Sequence, residues 1–152
     1  MANTQAMCTS FKGELFKSYH NFSAVNPARS ANTPDTFKVA LYLATATMNA
    51  ATTAYTTTGE VTGTGYTAGG STITSWIEPT TSGTTGYTTP TTSVSYPNVT
   101  LSSSFDCALV YNSSQGNRAV SVHTFTPQTV VAGTFTLSMP VNAASTALLR
   151  IA

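Results

Sequence analysis

The sequence predicts an all-β chain: an antiparallel β-sandwich of the jelly-roll or Greek-key type, preceded by a short N-terminal amphipathic helix. Three observations carry that expectation. Threonine makes up about a fifth of the 152 residues, and its branched Cβ suits a pleated, half-buried surface better than a helix. Seven or eight short runs alternate apolar and polar residues with turn residues between them, the pattern of a sandwich. Only 7% of the residues are charged, against roughly a quarter in ordinary soluble domains, so hydroxyls and backbone must cover most of the surface. The length suits one domain with its own core. Its expected organisation is an N-terminal helix and arm over 1–34, then a β-sandwich domain over 35–152 with an exposed threonine-rich loop at 79–92.

The elements follow in chain order. SFKGELFKSYHNF, residues 10–22, places Phe11, Leu15, Phe16, Tyr19 and Phe22 on one face at a period of 3.6. Ser10 stands where it can cap the first turn, with Glu14 towards the positive end and Lys17 towards the negative end. The loop NPARSANTP separates this helix from DTFKVALYLA, where Phe37, Val39, Leu41 and Leu43 alternate as a strand with one dry face. Residues 46–61 read as loop with at most a turn of helix near Met48 to Tyr55. STITSWIE resumes strand character at 71–78, with Ile73 and Ile77 in phase and Trp76 opposed. Residues 79–92, with two prolines and two glycines, offer no core residues and read as an exposed, mobile loop or arm. SVSYP and NVTLS read as strands broken or edged by Pro97. FDCALVYN and RAVSVHTF form a hairpin around SSQGN, followed by the strands GTFTLSMP and ALLRIA.

Charge and cysteine usage restrict the function classes. The net charge is +1, and the six Lys and Arg residues are scattered from Lys12 to Arg150; no cluster is placed to neutralise a row of phosphates, so nucleic acid is not an expected direct partner. Weak self-repulsion favours close packing of copies. No run approaches the ~20 apolar residues of a membrane span. The two cysteines, Cys8 and Cys107, lack a CxxC neighbour, and the first residues lack a secretory pattern. A reducing cytoplasm is therefore the expected place of synthesis, and the sequons at Asn21, Asn98 and Asn112 are expected to be chance products of composition.

The most motif-like stretch is TTGEVTGTGYTAGGSTIT, residues 57–74. A dinucleotide fingerprint needs G-x-G-x-x-G opening a helix. Here Gly69 comes one position late after Gly63 and Gly65, a β-type run follows, and no lysine stands near. Turns and close backbone approach are the expected roles. His123 and Asp106 with a serine spell a triad on paper, without a nucleophile-elbow setting. Cys8, His20, Cys107 and His123 lack paired metal-ligand spacing, and the five acids stand far apart in sequence. No catalytic, metal or cofactor site is expected. Trp76, Tyr66 and Tyr87 are the candidates for a sugar platform.

SFKGELFKSYHNF, the block from DTFKVALYLA through GEVTGTGYTAGG, CALVYNSSQGNRAVSVHTF and GTFTLSMPVNAASTALLRIA together resemble a family of small virion structural proteins of tailed bacteriophages. The order of Lys38 to Tyr42, Glu60 to Gly70 and Val110 to Asn112 carries the resemblance most specifically, and residues 79–92 fall outside it. The resemblance implies a capsid cement or decoration protein on the capsid exterior, made in the host cytoplasm. The partners it implies are the major capsid protein and further copies of the chain, as homodimer or homotrimer. A neck, tail or head-fibre component and a glycan-binding ornament share these features. The expected partner-binding residues are Phe11, Leu15, Phe16, Tyr19 and Phe22.

Overall fold

The computed structural model describes residues 2–24 and 33–152. Its strands are β1 (Ala6–Met7), β2 (Phe37–Leu43), β3 (Ser71–Thr72), β4 (Thr80–Ser82), β5 (Thr85–Thr88), β6 (Val94–Asn112), β7 (Arg118–Leu137) and β8 (Leu149–Ile151), with helix α1 at Thr9–Phe16. They form two antiparallel sheets, ordered β1-β7-β6-β2-β3 and β4-β5-β8. The fold is thus antiparallel all-β with one short helix.

The expected hairpin around SSQGN is present, but both arms run on far beyond it. Strands expected as separate pieces are continuous: Pro97 is absorbed at a register irregularity between Tyr96 and Val99, beside the positive φ of 53° at Asn98. Four further irregularities bend the β6/β7 pair. Phe125 and Phe135, ten residues apart on β7, would be roughly 33 Å apart on a straight strand. Their ring centroids are 5.5 Å apart, and Phe135 also meets Phe105 at 4.9 Å and Tyr96 at 6.2 Å. The distal half of the hairpin is therefore folded back on the proximal half, and the core forms between them.

The proximal half is dry on both faces, where the alternation in β2 predicts only one. Ala40 and Tyr42 are as buried as Val39 and Leu41, and Ala108 and Val110 as buried as Leu109 and Tyr111. One face is covered by residues 55–69: Tyr55 stacks on Tyr111, Tyr42 Oη donates to Thr56 O at 2.6 Å, and Tyr111 Oη donates to Gly69 O at 2.7 Å. On the other, Val39, Ala108 and Val110 share a cavity of about 240 Å³ with Leu137, Met139 and Leu148.

The glycine-rich stretch is what lets that cover come close. A Cβ at Gly70 would overlap the carbonyl oxygen of Val39, and φ there is +67°; a Cβ at Gly63 would overlap that of Thr100. The expected turn and close-approach roles hold at these two positions. Residues 79–92 differ from expectation in part: 79–84 and 91–92 are exposed, but β4 and β5 form a hairpin, β5 pairs with β8, and Thr88, Thr89 and Pro90 are buried. Threonine hydroxyls supply what apolar side chains do not, since Thr88 Oγ1 donates to Ile77 O at 2.6 Å and Thr89 Oγ1 accepts from Leu148 N at 3.0 Å. The expected strand at 71–78 shrinks to β3 and a bridge from Trp76 to Pro90.

Helix α1 starts one residue before the expected position and ends six residues early, after which Ser18 takes a left-handed φ of 56°. The N-cap is Cys8, without a side-chain cap; Ser10 Oγ is buried with no partner and does not serve. Of the proline-punctuated arm expected after the helix, residues 25–32 lie outside the described residues. Its flanks are joined: Asp35 N donates to Asn21 O, and Asn21 N to Asp35 Oδ2, both at 2.9 Å.

Candidate functional site

The aromatic stripe of the N-terminal segment divides once the helix is seated. Phe11 is buried, with its ring centroid 4.8 Å from His20 and 6.1 Å from Phe22. Phe22 in turn stacks on Phe37 at 4.4 Å and meets Trp76 edge-on at 4.9 Å. Phe11 and Phe22 are thus anchors inside the molecule. Phe16 points the other way and is 94% exposed, with Leu15 half-buried beside it and Tyr19 at the edge of exposure. Of the five residues expected to bind a partner, Leu15, Phe16 and Tyr19 remain available.

A buried polar clasp fixes this orientation. Glu14 is 7% exposed; its Oε1 accepts from Arg118 Nη1 at 2.7 Å and its Oε2 meets His20 Nε2 at 2.8 Å. Asn112 Nδ2 lies 3.1 Å from His20 Nδ1 and donates to Asp35 Oδ2 at 2.8 Å. With Asn112 as donor, the network assigns the imidazole proton to Nε2, facing Glu14. Arg118 also lies over the Tyr19 ring, 4.3 Å from its centroid. Asn112 is fully buried in this network, so its sequon has no room for a glycan. Glu14, expected towards the positive end of the helix, lies outside its first turn and ties α1 to β7 through Arg118.

Two adjoining grooves flank the helix. One, of about 290 Å³, runs between α1 and the small sheet and is lined by Phe11, Phe22, Tyr87 and Leu149 among others. The second, of about 680 Å³, is lined by Met7, Lys12, Leu15, Phe16, Arg150 and Ile151, with the C-terminal Ala152. Met7, Leu15 and Ile151 belong to both, and Ile151 is half exposed. The result is a continuous apolar surface that joins the two grooves through Met7, Leu15 and Ile151, carries Phe16 on the second of them and is bordered by β8, the edge of the three-stranded sheet.

The paper triad assembles only in part. Ser121 Oγ and His123 Nε2 are 2.8 Å apart, as the same-face spacing of i and i+2 on a strand dictates. Asp106 Oδ1 instead accepts from Asn3 Nδ2 at 2.6 Å, and Ser121 is buried. The metal quartet does not assemble: His20 belongs to the Glu14 clasp, His123 to Ser121, and no group of three or more metal-ligating side chains occurs among the described residues. Burial pushes the thiols up, Cys8 to about 11 and Cys107 to about 12, which keeps them protonated and unreactive. The sugar platform is dispersed, because Trp76 packs against Phe22 and Phe37 while Tyr66 stacks on Tyr96.

Burial lowers the His123 pKa from 6.5 to about 4. Above pH 6.5 the ring is neutral in both folded and unfolded chains. As pH falls towards 4 the unfolded chain takes up the proton first, so stability is lost across that window. At ~1.4 kcal/mol per pKa unit, less for a half-buried ring, the loss is about 1–3 kcal/mol. Urea midpoints measured from pH 7 to 4 should fall accordingly, and His123→Gln should flatten the profile.

No family model, no curated protein and no solved structure matches this chain.

Proposed function

We propose that the protein is a bacteriophage virion structural protein, a capsid cement or decoration protein on the capsid exterior that bridges neighbouring major capsid subunits. The observation that supports this reading best is the exposed Phe16 beside an apolar groove, on a chain whose other surfaces are threonine-rich and poor in charge. The buried ionic clasp orders the backbone that carries Phe16, so binding costs the rotamer freedom of the side chain and little backbone ordering. Each copy need contribute only this modest patch, because many simultaneous contacts on a shell multiply the avidity. The finer description of the fold as a sandwich of the jelly-roll or Greek-key kind belongs to the same proposal. The hairpin folded back on itself supports it, since it supplies two facing layers from one pair of strands.

Phe16→Ser is the direct test. Fully exposed side chains away from packing change stability by less than about 0.5 kcal/mol, so urea denaturation should be unchanged. Loss of an interface anchor costs about 2 kcal/mol, roughly thirtyfold per site, so co-sedimentation with expanded phage capsids should fall at least that far. Wild-type attachment by Phe16→Ser would remove the patch from the proposal, and absence of the protein from purified virions would remove the proposal itself.

A further inference from the structure

The charged side chains that line the groove at Phe16 are cationic, Lys12 and Arg150. Lys12 lies one helical turn before Phe16 on the same face of α1, Lys17 follows Phe16 in sequence, and Arg150 closes the groove from β8. No Asp or Glu side chain lines this groove. Among the described residues the ion pairs are those of Glu14 with His20 and Arg118, so Lys12, Lys17 and Arg150 have no carboxylate partner.

The acids of the chain are committed elsewhere. Glu14 and Glu60 are buried and hydrogen-bonded, Asp35 accepts from Asn112 and Gln115, Asp106 from Asn3, and Glu78 from Ser23. A second copy laid on this face by two-fold symmetry would gather the Lys12 and Arg150 side chains of both copies on one shared patch, with no Asp or Glu side chain to offset them. Like charges facing across an interface select against that partner.

We infer that the surface formed by Phe16, Leu15, Met7 and Ile151 receives a segment of a different protein that is apolar at its centre and flanked by carboxylates. The inference rests on the reading of this face as the attachment surface and adds the chemistry of what attaches. The apolar centre supplies affinity and the carboxylates supply orientation and partner choice. Contacts between copies of the chain then fall on other faces.

The test uses the full ¹⁵N-labelled chain and three synthetic peptides sharing one Leu/Phe-containing centre, flanked by Glu, Gln or Lys. The Glu-flanked peptide should bind about tenfold more tightly than the Gln-flanked one, shifting the amide resonances of Leu15, Phe16 and Ile151. The advantage should shrink as salt rises towards about 0.15 M. Lys12→Glu with Lys17→Glu, both exposed and unpaired, should reverse the order of the Glu and Lys peptides. Equal binding of all three, binding of none, or preference for the Lys-flanked peptide would overturn the inference. So would self-association that perturbs these same resonances. Attachment to capsids is measured in parallel: attachment without carboxylate preference overturns this inference alone, and carboxylate preference without attachment overturns the cement reading alone.

Discussion

Replacing Glu60 with leucine is expected to remove about 4–6 kcal/mol of stability, at about 1–3 kcal/mol for each buried donor left without an acceptor. Glu60 is 6% exposed. It accepts from Tyr55 Oη at 2.7 Å and, through Oε1, from Tyr66 Oη and Gly69 N, both at 2.8 Å. The network reaches the strands beneath: Tyr66 Oη accepts from Leu41 N at 3.0 Å, and Tyr111 Oη donates to the carbonyl of Gly69. One carboxylate therefore holds the segment that covers one face of β2 and β6. Folded domains of this size hold about 5–15 kcal/mol in all, so Glu60→Leu should remove a large share of the total. Glu60→Gln keeps one acceptor oxygen but sets an NH₂ against a donor, and should lose about 2–3 kcal/mol by the same reasoning. Urea denaturation at constant m-value gives the order wild type, Gln, Leu. A loss below about 1 kcal/mol for leucine would mean that water or another group satisfies these donors.

Glu60 also shows where sequence reading stops. Its block was recognisable for its glycines, and their roles as turns and close contacts could be read from spacing. Nothing local marks the glutamate as the acceptor for two tyrosines and a backbone amide, since those donors converge only after the chain has turned. The same division holds elsewhere. The alternation in 105–112 and 118–125 specifies the hairpin, because period two is a property of a strand by itself. That Ala108 and Val110 are also dry is a property of what folds over them. In the N-terminal segment, periodicity gathers Phe11, Leu15, Phe16, Tyr19 and Phe22 on one face of a helix that would have to run to residue 22. The helix stops at Phe16, and the turn at Ser18 sends Phe22 back to Phe37 while Phe16 stays outside. Within 79–92 the burial of Thr88 and Thr89 escapes the sequence for a related reason: their hydroxyls pair with backbone from residues 77 and 148, bonds that composition does not reveal.

The clasp beneath α1 yields the second large effect. Removing one partner of a buried ion pair costs about 3–5 kcal/mol, because the other charge stays behind unpaired. Here the loss should fall near 2–3 kcal/mol, since the Arg118 side chain is 38% exposed and can recover water. Glu14→Gln should therefore destabilise the chain by that amount, and Arg118→Met by more, because it leaves the buried Glu14 carboxylate behind without its cation. The double variant should lose less than the sum of the two, the coupling expected of groups in direct contact. Local effects should exceed the global one. Phe11 still anchors the N-terminal end of the helix, but the turn carrying Leu15 and Phe16 is tied to β7 through Glu14 alone among its ionic contacts. Amide exchange in Glu14 to Ser18 should accelerate well before that of β6 and β7. Attachment should then weaken even under conditions where the variant is fully folded, because a loosened Phe16 must be ordered again on binding. Exchange that rises equally in helix and hairpin would mean that Glu14 supports the whole core and does not position the patch.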